Sequence, residues 1–99
     1  MKIESCNTLE EARKEIDKVD EKIIEFIAIR NNYIKQIAQF KNSVEEVKSE
    51  ERISRVVGHA RSKAIELELS PNLIQDIFVR MIDEMVETEI SALQNSKAF

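Results

Sequence analysis

Residues 9–41 read LEEARKEIDKVDEKIIEFIAIRNNYIKQIAQFK and contain no glycine or proline. The apolar residues of this stretch recur with the period of an amphipathic α-helix, which predicts one long helix. Arg30 interrupts the apolar stripe between Ile23 and Ile37. Because an unpaired charge among apolar side chains is strongly unfavourable, Arg30 needs an anionic partner. The helix is therefore predicted to carry a charged position within its packing face.

The length of this helix predicts a second copy of the chain. A helix of about 33 residues is ~50 Å long, whereas a compact domain of about 100 residues has a radius of gyration of ~13 Å. The far end of the apolar stripe would extend beyond a compact monomer and needs another chain to cover it. We expect an intertwined homodimer, with a simple coiled-coil dimer as the alternative.

Local signals mark both ends of the long helix. Thr8 and Glu11 have the spacing of a capping box, which places the start of the helix near residue 9. The polar segment 42–48, NSVEEVK, interrupts the apolar pattern and predicts a loop between antiparallel helices. The first helix is therefore expected to cover about residues 9–41.

Two more helices are predicted after the loop. Ser49 suits the N-cap of a helix over about residues 50–68. Ser70 followed by Pro71 is a strong start signal for another helix, over about residues 71–94. The expected fold class is all-α, with three helices per subunit.

The amino-acid composition and the net charge argue against nucleic acid and membrane as binding partners. The 99 residues, expected to form a single domain, are 42% apolar and 34% charged, with a net charge of −4. This charge argues against a broad nucleic-acid surface, and no apolar run reaches the length of a membrane span. The N-terminal sequence MKIESCNTLEEA lacks the apolar core of a signal peptide. We expect a cytoplasmic protein that binds neither nucleic acid nor membrane.

The sequence implies no metal and no cofactor. His59 has no second histidine or cysteine at metal-ligand spacing. A glycine-rich phosphate loop and a catalytic triad are also missing from the sequence. An enzyme built from these residues would hold and polarise its substrate without covalent chemistry.

The last helix carries a second charged position in an apolar stripe. Glu89 lies four residues after Met85 and seven after Ile82, on the same helical face. Such an acid can serve as the carboxyl group of a binding pocket. Alternatively, Glu89 and Arg30 form a buried ion pair that fixes the packing register or the choice of partner.

The spacing of the basic residues along the first helix indicates which of them share a face. Arg30 and Lys41 are 11 residues apart, so on a continuous helix they share a face within ~20° and can converge on one ligand. Arg13 lies roughly 100° around the helix from Arg30 and would serve the partner's pocket in an intertwined dimer. Together with Glu89, these cations predict a cavity for a dianionic small molecule.

Three segments carry a resemblance to a known family. EARKEIDKVDEKIIEFIAIRNNYIKQIAQFK, then EER after a short loop, then IFVRMIDEMVETEI resemble the all-helical (type II) chorismate mutases over almost the whole chain. The phrase FKNS and the short interval from Lys41 to Glu51 are similar to the branch that contains isochorismate pyruvate lyases. The resemblance implies an intertwined dimer of three-helix subunits, in which each of two pockets is completed by the other chain.

The resemblance also implies roles for individual residues. Arg13 matches the arginine that reaches the partner's pocket, and Glu51 matches an acid that contacts the ring hydroxyl. Arg30 and Lys41 match cations that bind the substrate carboxylates and the enolpyruvyl ether. Glu89 falls where many members carry a glutamine that donates a hydrogen bond to the ether oxygen. A glutamate can do so only when protonated, a state that apolar surroundings favour.

The reaction that the resemblance implies is the cofactor-free rearrangement of chorismate to prephenate. The alternative is elimination of pyruvate from isochorismate, which gives salicylate. A third reading is a helical adaptor or regulatory dimer that has kept the fold without the chemistry.

Overall fold

Helices α1 to α4 follow one another in a computed structural model that describes residues 2–96. They span Leu9–Ala38, Val44–Val47, Glu50–Glu66 and Pro71–Ser96 in chain order. Within the described range there are no strands, which confirms the predicted all-α class with three long helices. The fourth element, α2, is a single turn inside the segment predicted to be a loop, so that prediction was wrong at residues 44–47.

The backbone divides into two units, Met1–Asn32 and Tyr33–Phe99. The first contains most of α1. The second contains the last turns of α1 together with α2, α3 and α4. The expectation of a single domain over residues 1–99 stays a prediction.

A displaced capping box starts α1. The Thr8 hydroxyl oxygen accepts the amide of Glu11 at 3.1 Å, as the sequence predicts. The Glu11 carboxylate accepts the amide of Asn7 at 2.9 Å, one residue before the expected position. Both bonds satisfy backbone donors that have no partner inside the helix.

The end of α1 lies at Ala38, three residues before the predicted end at Lys41. The amide of Phe40 donates to the carbonyl of Ile37 at 2.9 Å, a three-residue spacing that tightens the chain after the last helical turn. The next helix has Ser43 as its N-cap, with the extended angles φ −147° and ψ 160°. The three-residue bonds of residues 39–41 therefore end α1, although the apolar pattern continues to Phe40.

Serine caps begin α3 and α4 where the sequence predicts them. Ser49 accepts the amide of Arg52 at 3.3 Å, and Ser70 accepts the amide of Leu73 at 3.2 Å. The two helices pack against each other. Ala60 and Ala64 of α3 are buried, and small side chains allow helices to approach closely.

A second link joins α3 and α4 through polar groups. The guanidinium of Arg61 donates to the amide oxygens of Asn72 at 3.0 Å and Gln75 at 2.6 Å. Both acceptors lie in the first turns of α4. The link holds the start of α4 on α3.

In the unit Met1–Asn32, the apolar residues of α1 are exposed. Eight large apolar side chains have exposed fractions of 38–68%: Leu9, Ile16, Val19, Ile23, Ile24, Phe26, Ile27 and Ile29. Eight exposed large apolar side chains on one helix are typical of a region that packs against another protein. From residue 2 to residue 96, no helix is long and apolar enough to cross a membrane.

The turn between α3 and α4 predicts a stabilising substitution. Glu68 has φ 61°. Its amide donates to the carbonyl of Ile65 at 3.1 Å, and the amide of Leu69 donates to the carbonyl of Ala64 at 2.8 Å. These two bonds form a Schellman motif. Glycine adopts this left-handed conformation without a Cβ clash, so Glu68→Gly should raise the free energy of unfolding by ~1 kcal/mol. Urea denaturation at a fixed protein concentration measures the change. Glu68→Ala is the control, since it removes the same carboxylate but keeps Cβ; equal stability of the two variants would contradict the prediction.

Candidate active site

The carboxyl group of Glu89 is buried on α4. Its residue is only 2% exposed, which confirms its predicted place on the apolar face of the last helix. Ile82 and Leu93, on the same face, are also buried. Within the described part of the chain, the Glu89 Oε2 atom has no hydrogen-bond partner. A buried oxygen of this kind is costly as part of a carboxylate and far less so in a neutral carboxyl group.

Two opposing effects set the protonation of Glu89. Burial raises the pKa of its carboxyl group, because the charged form loses its hydration. The positive charge of Lys41 lowers the same pKa, but by less. The net shift of the pKa is upward. Glu89 is therefore biased towards the protonated form, which has an O–H group to donate.

Lys41 lies in the connection between α1 and α2. It is partly buried, and its ammonium nitrogen donates to the main-chain carbonyl of Glu46 at 2.8 Å. The prediction that Lys41 continues the first helix was wrong, since α1 ends at Ala38. Counting along the helix therefore does not give the direction of the Lys41 side chain. Its direction depends on the turn that follows.

A cavity of about 530 Å³ has Lys41 in its wall. Its other lining residues come from the end of α1, the connection and the end of α4: Lys35, Ala38, Gln39, Asn42, Ala92 and Leu93. The volume suits a small molecule. Two ammonium groups and two side-chain amides in the wall suit an anionic ligand.

A second cavity, of about 660 Å³, lies where α2, α3 and α4 meet. Four carboxylates line it, from Glu50, Asp83, Glu84 and Glu87. Of its two cations, Arg80 already pairs with Glu84 at 2.6 Å. Repulsion between like charges disfavours a dianion here. The cavity at Lys41 is therefore the better candidate for an anionic substrate.

The other predicted site residues lie elsewhere in the two units. Arg13 is exposed and Arg30 is partly buried, both on the part of α1 that belongs to Met1–Asn32. Glu51, in the first turn of α3, has a side chain that is 84% exposed and pairs with Arg55 at 3.7 Å. The structure thus relates Lys41 to Glu89 but leaves Glu51 in solvent. The roles of Arg13, Arg30 and Glu51 stay predictions.

Glu46 is a residue of this region that the sequence reasoning missed. Its backbone and side chain contact Lys41, Asn42 and Ser43. The signal was present, because Ser43 and Glu46 have the same spacing as Thr8 and Glu11. The helix that they start is too short to show periodicity.

Over residues 2–96, no three His, Cys, Asp or Glu side chains are grouped so that they could hold a metal ion. His59 is exposed on α3.

Two comparisons relate the chain to known proteins. The family model described as chorismate mutase type II matches residues 12–90, a range that includes all five predicted site residues. The chain is also 25% identical over 87 residues to a protein of Pseudomonas aeruginosa named isochorismate pyruvate lyase. That match covers 88% of this chain and 86% of the other protein.

The raised pKa of Glu89 predicts how stability depends on pH. The folded state binds this proton more tightly than the unfolded state, so the contribution is fully present at low pH. It is lost as pH rises through the raised pKa. Replacement of the titrating group by an amide in Glu89→Gln should remove this part of the pH dependence.

Urea denaturation over a series of pH values measures this effect. Glu87→Gln is the matched control, because Glu87 is an exposed glutamate on the same helix and the substitution makes the same change of a carboxyl group to an amide. The control should keep the parental loss of stability with rising pH. An unchanged pH dependence in Glu89→Gln would show that the buried carboxyl does not titrate as described.

Proposed function

Because the chain belongs to the chorismate mutase type II family, we propose that it is an enzyme that rearranges chorismate to prephenate without a cofactor. The observation that carries the proposal is the buried carboxyl of Glu89, which lies within the influence of the Lys41 charge. A neutral carboxyl and an ammonium group suit an ether oxygen that becomes more negative as its bond to carbon breaks.

The rearrangement requires only that the protein binds the substrate in one shape and stabilises its developing charge. In the rearrangement one carbon–oxygen bond of the ether breaks and one carbon–carbon bond forms within the same molecule. No atom is gained or lost. Catalysis can then come from selecting the compact conformer of the substrate and from stabilising the charge that develops on the oxygen.

Each proposed residue has a distinct role in this reaction. Arg30 and Lys41 bind the two carboxylates and the ether, and protonated Glu89 donates a hydrogen bond to the ether oxygen. Glu51 contacts the ring hydroxyl. For this contact the Glu51 side chain must leave Arg55, which costs at most ~1 kcal/mol because exposed ion pairs are weak.

We further propose that the enzyme is a homodimer. The support is the exposed apolar surface of α1 in the unit Met1–Asn32, which a second copy would cover. Arg13 is exposed on the same helix. In the dimer it would reach the pocket of the other subunit, so each pocket would need residues from two chains.

A second candidate reaction is the elimination of pyruvate from isochorismate to give salicylate. It is favoured by the similarity to the Pseudomonas aeruginosa protein named isochorismate pyruvate lyase, which extends over most of both chains. The same type of carbon–oxygen bond breaks in a nearly identical dianion. The proposed cations and Glu89 would therefore serve this reaction as well.

Separate incubations with chorismate and isochorismate distinguish the two reactions. Purified protein incubated with chorismate should yield prephenate. Chromatography measures the amount of prephenate formed. If the protein instead forms salicylate and pyruvate from isochorismate, and does so at a higher kcat/KM than it forms prephenate from chorismate, the elimination of pyruvate is its main reaction. Absence of both activities would contradict the enzyme proposal and favour a non-catalytic helical protein.

Mixing two inactive variants tests the shared pocket. Arg13→Ala and Arg30→Ala should each lower kcat/KM by about 10²-fold or more, as expected for loss of a positioned cation. In mixed dimers one pocket lacks both arginines and the other is intact. Since half of the dimers in an equal mixture are mixed, unfolding and refolding the two together should restore about a quarter of the parental activity.

The result depends on exchange of subunits between dimers. Each variant refolded alone is the control and should stay inactive. A mixture no more active than the separate variants would contradict the crossing role of Arg13, and a monomeric mass in sedimentation equilibrium would contradict the dimer itself.

A further inference from the structure

The connection between α1 and α3 is an ordered turn centred on Glu46. Three groups of this residue contact three successive residues before it. Its amide donates to the Ser43 hydroxyl oxygen at 3.2 Å, its carboxylate accepts the amide of Asn42 at 2.8 Å, and its carbonyl accepts the ammonium of Lys41 at 2.8 Å. One residue therefore fixes both the path of the turn and the end of the lysine side chain.

Packing holds this turn against the helix that carries Glu89. Val47, the last residue of α2, is only 2% exposed, and α2 packs on α4. The turn is thus anchored at one end by a buried side chain and closed at the other by the Glu46 carboxylate. The Glu46 carbonyl lies between these two restraints.

We propose that Glu46 is a positioning residue, which holds the Lys41 ammonium group ready for the substrate through its main-chain carbonyl and locks the turn with its carboxylate. The inference deepens the proposed function and rests on it for the role of Lys41. A lysine ammonium has three N–H donors, and the bond to Glu46 uses one of them. Two donors remain for an anionic ligand.

The benefit of this arrangement is conformational. A lysine side chain has four flexible bonds and loses much rotamer freedom when it binds an anion. A lysine that is already held in the free protein loses less at the moment of binding. The ammonium group also stays at a defined distance from the carboxyl of Glu89, whose protonation it influences.

The Glu46 carboxylate affects the position of Lys41 indirectly, although it is the Glu46 main-chain carbonyl that contacts Lys41. Glu46→Ala keeps the carbonyl of residue 46 but removes the acceptor for the Asn42 amide. The turn then lacks the bond that closes it, and the carbonyl is no longer fixed relative to Lys41. Glu46→Gln retains an amide oxygen that can accept the same bond, so it should restore the turn.

Kinetics with the substrate that the protein turns over test the inference. Glu46→Ala should lower kcat/KM about tenfold, the equivalent of one ordinary hydrogen bond, and Glu46→Gln should lie within about twofold of the parent. Glu45→Ala is the matched control, since it removes an exposed glutamate from the same turn, and it should behave as the parent.

A double-mutant cycle with Lys41→Ala separates positioning from general damage to the protein. If Glu46 acts through Lys41, adding Glu46→Ala to Lys41→Ala should lower kcat/KM no further. A full additional tenfold loss in that background would overturn the inference, as would parental kcat/KM in Glu46→Ala. Parental activity in Lys41→Ala would instead contradict the proposed role of Lys41 in the function.

Chemical modification tests the same contact without any turnover. Acetic anhydride acetylates lysine amines, and mass spectrometry gives the rate at Lys41 relative to the exposed Lys48. Glu46→Ala should raise this relative rate several-fold, whereas Glu46→Gln and Glu45→Ala should leave it near the parental value. An unchanged rate in Glu46→Ala would overturn the inference, even if neither chorismate nor isochorismate proves to be a substrate.

Discussion

Burial of one carboxyl group is the constraint on which the candidate site depends. A glutamate that is 2% exposed on an apolar helix face is tolerable mainly as a neutral acid. In that form it has a hydroxyl donor, which a carboxylate lacks. Ile82 and Leu93 are buried on the same face of α4. The stability of the fold and the chemistry of the site are therefore linked through the burial of this one side chain.

The second part of the site comes from a turn and not from a helix. Lys41 lies beyond the end of α1, and its ammonium group is held by the carbonyl of Glu46. A capped turn can hold a cation at a position that a straight helix would not reach. The cost to the fold is small, because Ser43 and Glu46 satisfy the amides that the break in the helix leaves open.

Much of the architecture could be predicted from the sequence because it depends on signals within single segments. The apolar period predicts α1, Ser70 with Pro71 predicts the start of α4, and the position of Glu89 in the stripe predicts its burial. The end of α1 could not be predicted in this way. There the apolar period continues to Phe40, while three-residue backbone bonds replace the helical bonds after Ala38.

The contacts of the site were harder to predict for a related reason. The Lys41 ammonium bonds to a main-chain carbonyl, and every residue has one, so no side-chain pattern marks the acceptor. Glu51 shows the converse, since the resemblance assigns it a role while its side chain in the structure is exposed beside Arg55. Family membership supports the class of chemistry, whereas the geometry of each contact depends on the local turn.

The connection between α1 and α3 holds the positive charge that opposes the effect of burial on Glu89. Burial on α4 raises the pKa of Glu89, and the charge of Lys41 lowers it. The first effect depends on the burial of the Glu89 side chain on α4. The second depends on how a short turn holds one flexible side chain. A substitution in residues 42–46 that released Lys41 from this carbonyl would act on the second effect.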